Sequence, residues 1–590
     1  MRVADYIADA IVQKGTNKIF TLSGGGFMHL LDGLVSNKSL ELIFHHHEQA
    51  AGMAAEAFAR SSGKVGVCFA TSGPGATNLV TAILGAWLDS VPVIFITGQS
   101  KLSQTIRNAE VTGLRQFGTF EVDIVSIVKP ITKDAYFVRR SNDIPYILEK
   151  AFQTAAEGRP GPVLIDIPID IQGAQIDVSK TRKYQSDYNK PTVQGIQLDQ
   201  IVDKINKSKR PIILAGHGVR VSGSADKLQA FIELYKIPAV TTQLGKDVLP
   251  YECEFFIGHP GTRGDRAGNS AIQTADLIIV IGSSLHTFTT GYELDLFAPN
   301  AFIIQIDPDR SNFEKESVHV EMKVNAEISD FIETLSNRKG LLTRSRSDEW
   351  LSWIKNNKLK YPVSREAHKI ENGRINIYHA IETIEYEAPS DAVVIGDAGS
   401  VFFALGHAWK VKKGQRVLIS GGLGTMGWSL PAATGSASAC PKSKIICFTG
   451  DGSLMTNIHE LSIIKGHNLN IAIMIFNNSG YISIKNTQQG YFGNNFAGVN
   501  VDSGVFIPKI EDLAKSMQIK YKKVFNLAEL RDCCVDTFNE IGPVLIDIQS
   551  NLDQEIIPAV LSKKMDNGQM ISQPLDNMYP FLDRPLTWDD

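Results

Sequence analysis

Two short segments carry residue types that could act together on a phosphorylated ligand. The apolar run KIICFT ends in Gly450-Asp451-Gly452-Ser453 and passes into a helical pattern, LMTNIHELSIIKGHN. Glycines there let the backbone turn sharply and approach a phosphate, whose charge is favoured by the free N–H groups and positive end of the following helix. The next apolar run, IAIMIF, ends in Asn477-Asn478-Ser479-Gly480, with Asn478 lying 27 positions after Asp451. If the two runs are neighbouring parallel strands, both polar side chains reach the same carboxyl edge. A carboxylate, an amide oxygen and a backbone carbonyl are hard donors that suit Mg²⁺, with phosphate oxygens completing its shell. A tight turn followed by an Asx loop would use the same residue types. GDGS and NN at this distance are far more specific than a lone GDG.

A third segment, LELIFHHHEQAAGMAAEAFAR, puts Glu48 at the end of an apolar run and the start of an Ala-rich helix. A carboxyl group in dry surroundings has a raised pKa and suits proton transfer, although a Glu at a helix start also pairs with the helix dipole. His45, His46 and His47 alternate faces along a strand and do not converge on one ion, which argues against zinc. Two further turns, Gly24-Gly25-Gly26 and Thr71-Ser72-Gly73-Pro74-Gly75-Ala76-Thr77-Asn78, are either ligand loops or plain strand-to-helix turns.

These segments need a scaffold, and the pattern around them supplies it. Short β-branched runs (KIFTL, GVCFA, VPVIFIT, PVLIDI, then PIILAG, LIIVIG, FIIQID, then AVVIGD, KIICFTGDG, IAIMIFNN, PVLIDI) alternate with longer helical patterns. Such alternation predicts βαβ units and an α/β fold of three doubly wound parallel-sheet domains. The expected boundaries are 1–177, 193–337 and 373–555, followed by a tail, 556–590. The polar stretch 178–192 and the charged, Ser-rich stretch from about 338 to 372 read as connections. GPVLIDI occurs at Gly161–Ile167 and again at Gly542–Ile548, which favours a duplication relating the first and third domains over chance similarity of buried strands.

Composition narrows the partners. The 590 residues carry 59 Lys+Arg against 63 Asp+Glu, a formal net charge of −4, so nothing draws the chain to a polyanion and nucleic acid is not expected. Six cysteines, without CxxC spacing, are sparse for the length and fit a reducing, cytoplasmic setting. The N-terminus has no basic start followed by an apolar block, and no apolar run approaches the roughly 20 residues of a membrane span.

The GDGS and NN pair resembles the signature of the thiamine diphosphate-dependent enzymes. The resemblance implies that Asp451, Asn478 and the Gly480 carbonyl hold Mg²⁺, and that Gly450, Gly452, Ser453 and Ser400 lie at the diphosphate. Gly421 to Gly427 (GGLGTMG) is similar to the segment whose bulky residue, here Met426 beside Gly424, props the cofactor in a bent conformation. HEQAAGMAAE is similar to the context of the family's activating glutamate. Glu48 is therefore expected to hydrogen-bond the pyrimidine so that its exocyclic amine becomes an imine able to take the C2 proton. Gly25, Thr71, Pro74 and Asn78 are expected around the pyrimidine.

The motifs HEQAAGMAAE, TSGPGATN, RPGPVLIDIP and GGLGTMG resemble the acetolactate (acetohydroxyacid) synthase branch, over most of residues 1 to 555. That branch decarboxylates pyruvate, transfers the two-carbon unit to a second carbonyl compound and carries FAD in the central domain. Arg159, the segment 258–268 and Gly282 lie where FAD contacts would be. The chain departs from the biosynthetic synthases at four places. Phe120 replaces a glutamine beside the reacting centre, Ile169 replaces a lysine, 282–291 (GSSLHTFTTG) lacks FAD-contacting arginines, and Ser400-Val401 replaces Gln-His. These changes leave FAD and the acceptor open. The segments SGYISIKNTQQGYFGNNFAG and PLDNMYPFLDR are more similar to synthase-like enzymes of bacterial surface-sugar pathways, some of which acetylate a keto-sugar nucleotide. The resemblance implies a carboligase working as a homodimer or homotetramer on a 2-oxoacid donor and a carbonyl acceptor (a 2-oxoacid or a keto-sugar nucleotide). A decarboxylase or oxidase of the same family, or a noncatalytic binding protein, are the alternatives.

Overall fold

The computed structural model describes residues 1–338, 342, 348–366, 373–564, 569–583, 586 and 588. The β-branched runs form three six-stranded, wholly parallel sheets. The first contains β1 (Lys18–Thr21), β2 (Glu41–Phe44), β3 (Gly66–Ala70), β4 (Val93–Gln99), β5 (Asp134–Phe137) and β6 (Val163–Pro168), in the order β2-β1-β3-β4-β6-β5. The second contains β7 (Pro211–Ala215), β8 (Ala239–Thr241), β9 (Phe256–Gly258), β10 (Leu277–Ile281), β11 (Phe302–Asp307) and β12 (Met322–Asn325), in the order β12-β11-β10-β7-β8-β9. The third contains β13 (Val393–Gly396), β14 (Arg416–Ile419), β15 (Ile445–Gly450), β16 (Ile471–Asn477), β17 (Lys520–Val524) and β18 (Val544–Gln549), in the order β14-β13-β15-β16-β18-β17. Their central strands are buried and mostly apolar, because helices cover both faces. The expected α/β architecture of three parallel sheets is what forms. The first and third sheets share one strand order, and GPVLIDI supplies the equivalent strand, β6 or β18, in each.

The first and third sheets also share a core, in which Phe20, Ala54 and Phe95 pack in the same cluster as Trp428, Leu430 and Ile473. Its centre is the contact between helices Glu48–Ser62 and Ser429–Ala439, both rich in Ala, Gly and Ser. A Cβ on Gly435 would lie 2.0 Å from the Ala54 carbonyl oxygen, so the two backbones touch where only glycine fits. Trp428 Nε1 donates to Glu56 Oε2 at 3.1 Å, and Arg60 Nη1 donates to the Ile419 carbonyl at 2.8 Å. Burial pushes the Glu56 carboxyl up to about 7, against the pull of the neighbouring Arg60.

The stretch 338–372 differs from the expected connection. Residues Asp348–Lys360 form a helix that buries Trp350 and Ile354 against the central domain's core. Those two apolar residues sit at i and i+4, but the surrounding charges hide the stripe. Residues 339–341, 343–347 and 367–372 of that stretch lie outside the described residues, as do 565–568, 584, 585, 587, 589 and 590 of the tail. The tail's strands pair antiparallel as Ala559–Val560 with Met578–Tyr579 and Ser562–Lys564 with Met570–Ser572. It lies on the central domain: Asn269 Nδ2 donates to the Leu575 carbonyl at 2.8 Å, and Arg266 donates to the Met578 and Pro580 carbonyls.

Candidate active site

Glu48 opens its helix directly after β2, and His47 caps that helix by accepting from Gln49 N. The carboxylate is 6% exposed and accepts from Asn78 Nδ2 at 3.0 Å. Asn78 follows the single-turn helix Pro74–Thr77, which begins after β3. A Cβ on Gly75 would lie 2.6 Å from Thr71 Cγ2 and 3.2 Å from Glu48 Oε1, so this turn packs closely on both side chains. Thr71 Oγ1 accepts from Gly26 N at 2.9 Å and fills the space that a Cβ on Gly24 would need. Gly25 keeps open space where a Cβ would project. Gly25, Thr71, Pro74 and Asn78 thus gather with Glu48 at the carboxyl edge of β1, β2 and β3, where a parallel sheet presents its ligand loops.

The third sheet builds a second group at its corresponding edge. Asp451 follows β15 and Asn478 follows the adjacent β16. Asp451 is 1% exposed; its Oδ1 accepts from Gly452 N at 3.0 Å and its Oδ2 from Gly480 N at 3.1 Å. With backbone N–H groups as its donors, burial pushes its carboxyl up to about 7. Asn478 Oδ1 is buried and unpartnered, and so is Ser400 Oγ at the start of helix Ser400–Ala408. Gly480 has φ +153°, and a Cβ there would lie 2.0 Å from the Val499 carbonyl oxygen. Gly452 is packed just as closely by the Tyr481 ring, whereas Gly450 faces open space.

These observations test whether a metal and a diphosphate fit. A buried carboxylate held only by backbone N–H groups, on the strand next to an orphaned amide oxygen, is a costly arrangement alone and a suitable one around a divalent cation. Among the described residues no cluster of three or more His, Cys, Asp or Glu side chains could hold a metal, so a cation here draws on amide, carbonyl and ligand oxygens. The residues present fit the group.

Met426 is 41% exposed, although its backbone is firmly held. Gly427 N donates to Asp397 Oδ1 at 2.9 Å, and the Gly427 carbonyl accepts from Asn457 Nδ2 at 3.0 Å. Gly424 has φ +67° and Gly427 φ +72°, the turns that bring this loop past Thr456. Asp397, buried after β13, also accepts from Ser429 Oγ and Thr449 Oγ1, both at 2.7 Å. Sequence reasoning missed Asp397. Its signal was an acid directly after the strand VVIG, in the same strand-end position as the Asp451 it parallels.

Within one chain the two groups are joined away from their reactive side chains. His45 Nδ1 lies 2.9 Å from Glu460 Oε2 across the seam, both fully buried, and the His47 and His459 rings lie 5.9 Å apart. Among the described residues no hydrogen bond links Glu48 to the Asp451 or Asn478 loops. His45 is buried while His46 is exposed, so the three histidines do face different ways.

A cleft of about 750 Å³ lies where the central domain meets the other two, lined by Arg159, His217, Gly282, Asp307, Phe402 and Gly422 among others. The central strand order reverses between β7 and β10, the switch point where doubly wound sheets take dinucleotides, and His217 and Gly282 follow those two strands. Segment 258–268 does not line the cleft as expected. It is turned inward, with Asp265 accepting from His259 N and Gly268 N while Arg263, Arg266 and Asn269 hold the tail.

Comparison with known proteins agrees with this layout. Three family models match in order: thiamine pyrophosphate enzyme N-terminal TPP binding domain over residues 1–118, central domain over 198–335, and C-terminal TPP binding domain over 397–548. The chain belongs to the thiamine pyrophosphate enzyme family. Within this family it is 32% identical to the acetolactate synthase large subunit of Lactococcus lactis over 563 residues, 94% of each chain. It is also 32% identical to the isozyme 1 large subunit of Escherichia coli over 566 residues (94% and 95%), and to the chloroplastic acetolactate synthase of Arabidopsis thaliana over 575 residues (95% and 83%). The chain is thus a thiamine diphosphate-dependent, acetolactate synthase-like enzyme. Among the described residues no helix is long and apolar enough to cross a membrane.

Proposed function

We propose that the chain decarboxylates a 2-oxoacid, pyruvate, and transfers the acyl unit to a carbonyl acceptor. The observation that carries this is the costly Asp451 carboxylate beside the orphaned Asn478 Oδ1, at the sheet edge equivalent to the one that holds Glu48. Asp451, Asn478 and the Gly480 carbonyl would hold Mg²⁺. Gly450, Gly452, Ser453 and Ser400 would meet the diphosphate, and Met426, between Gly424 and Gly427, would support the cofactor in its bent conformation. Thiamine diphosphate supplies the electron sink that accepts the pair left behind when CO₂ departs. Glu48 would hold a proton for the cofactor's pyrimidine, with Asn78 Nδ2 donating to its carboxylate and holding it in place. Gly25, Thr71 and Pro74 would line the pocket for that ring. In balance, the donor's C1–C2 bond breaks with loss of CO₂, a new C–C bond forms to the acceptor carbonyl carbon, and the acceptor oxygen takes a proton.

Incubation of the loaded protein with pyruvate tests the reading through its products. A hydroxyketone supports carboligation; an aldehyde, or acetate with peroxide, would move the chain to a decarboxylase or oxidase. No CO₂ release would leave a binding protein.

FAD is the ligand we assign to the cleft. Asp307, lifted to about 6 by burial, suits a ribose hydroxyl, and Arg159 suits a phosphate. Absorbance at flavin wavelengths after purification reads its presence directly. The active unit is a homodimer, or a tetramer of two such pairs, in which Glu48 of one chain faces the Asp451 group of another. Mixing inactive Glu48→Gln and Asp451→Ala chains should then restore activity through one intact site, and confirmed heterodimers that stay inactive would rule the arrangement out. The six free cysteines fit a cytoplasmic enzyme.

A further inference from the structure

The loop that carries Met426 belongs to the third domain, but its near end is held by a residue of the first. β14 ends at Ile419, and the loop runs from Ser420 to the start of helix Ser429–Ala439. Asp89 directly follows helix Val80–Leu88 of the first domain and is 1% exposed. Its Oδ1 accepts from Gly422 N at 2.7 Å and its Oδ2 from Gly421 N at 3.1 Å. A Cβ on Gly422 would lie 2.6 Å from Leu88 Cβ, so the loop start lies flat against the end of that helix. At the far end, Gly427 N donates to Asp397 Oδ1 at 2.9 Å. Between the two anchors Gly424 turns at φ +67° and Met426 stands exposed. The loop is slung between two buried carboxylates from two domains.

A carboxylate is a costly way to join those domains. Arg60 Nη1 lies 3.4 Å from Asp89 Oδ2, but it also lies 3.3 Å from Glu56 Oε1 and donates to the Ile419 carbonyl at 2.8 Å. One guanidinium thus faces two buried acids, and burial raises both carboxyls above their ordinary range. Apolar side chains of similar size would hold a plain domain contact as well or better. What the carboxylate adds is direction: its two oxygens fix two successive backbone N–H groups, and with them the path of the chain toward Met426.

We propose that Asp89 is a positioning residue for the reaction: by holding the Gly421 and Gly422 N–H groups, the first domain sets where Met426 stands beneath the cofactor seat of the third. This assignment rests on the cofactor reading given above for Met426. Asp89 itself touches no proton-transferring group, so its loss should act on cofactor binding and turnover and leave the binding of the 2-oxoacid alone.

The test uses the full-length wild type, Asp89→Asn and Gly422→Ala. The amide keeps the volume but has one acceptor for two N–H groups and turns its own NH₂ toward the other. Gly422→Ala drives the loop start off Leu88 and leaves the Asp89 charge in place. In the cofactor-free proteins, hydrogen exchange read by mass spectrometry should be about fivefold faster or more across 420–428 in Asp89→Asn, with 48–62 and 429–439 unchanged. Calorimetry should show thiamine diphosphate with Mg²⁺ binding about tenfold more weakly to both variants. In the loaded enzymes kcat for CO₂ release from pyruvate should fall on the order of 30-fold while KM for pyruvate stays within about twofold. A wild-type kcat per bound cofactor would overturn the assignment, as would faster exchange spread over both helices of the seam, the mark of a general domain contact. If Asp89→Asn does not fold, Gly422→Ala decides by the same cofactor affinity and kcat. If wild type releases no CO₂ from pyruvate, the carboligase reading fails, and Asp89 is still decided: a local change in exchange with weaker cofactor binding supports it, and unchanged cofactor binding overturns it.

Discussion

Replacing Asp451 by asparagine should stabilise the cofactor-free protein while abolishing its response to Mg²⁺ and thiamine diphosphate. Burial lifts this carboxyl from 3.8 to about 7. At about 1.4 kcal/mol per pH unit, keeping it ionised above pH 7 costs the folded state on the order of 4 kcal/mol. Between about pH 4 and 7 the unfolded carboxylate has lost its proton while the folded one retains it, so this group lowers stability as pH rises. The amide keeps an oxygen for the Gly452 N–H but turns its NH₂ toward the Gly480 N–H, a loss of about 1–2 kcal/mol. Asp451→Asn should therefore gain about 2 kcal/mol over wild type at pH 8 and about nothing at pH 5. Calorimetry of the stripped proteins at pH 5, 6.5 and 8, repeated with Mg²⁺ and thiamine diphosphate, reads both effects. Wild type should gain Tm on loading and the variant should not. A variant-minus-wild-type difference that stays flat with pH would refute the claimed cost of this carboxylate. Equal stabilisation of both proteins by the ligands would refute its role as a ligand.

Glu48→Gln should bind the cofactor normally by calorimetry but lose turnover by about 100-fold or more, since the amide cannot share the proton; near wild-type turnover would remove Glu48 from that role. Gly480→Ala places a Cβ 2.0 Å from the Val499 carbonyl oxygen at φ +153°. It should lower Tm and weaken Mg²⁺-dependent cofactor binding, and an unchanged binding isotherm would contradict this. Lys246 is buried between the His259 ring and the Gly406 carbonyl, and burial lowers it from 10.5 to about 7. Between those values the unfolded chain binds a proton that the folded chain lacks, so wild type should gain on Lys246→Met by up to about 1.4 kcal/mol per pH unit from pH 7 to 9. Urea midpoints that run parallel over that range would contradict it.

The strands and both reactive motifs were legible because each is local. Ile471 to Phe476 announces a buried strand by its own composition, and Asp451 with Asn478 needs only adjacent strands to come to one sheet edge. The partners that fix the motifs were not legible, because each is a pairing between distant segments. His45 meets Glu460 across 415 positions, and Trp428 meets Glu56 across 372. The helix Asp348–Lys360 was hidden for another reason: two buried apolar residues among many charges give too narrow a stripe to stand out. The cleft was legible only in part: the resemblance pointed to Arg159 and Gly282, which line it, whereas His217 and Gly422 share no spacing with them.

The tail's attachment has a consequence for how the chain is made. Asn269 and Arg266 belong to a helix that is complete early in synthesis, yet the carbonyl that Asn269 reaches, on Leu575, is polymerised 306 positions later. At about 5–20 residues per second, roughly 15–60 s separate the two. Throughout that interval the central domain's sheet can close while this polar face still rests in water. Its maturation is a late event timed by the ribosome, and a nascent chain halted before the tail would expose Arg266, Asn269 and the apolar residues around Leu575's seat to chaperones and proteases.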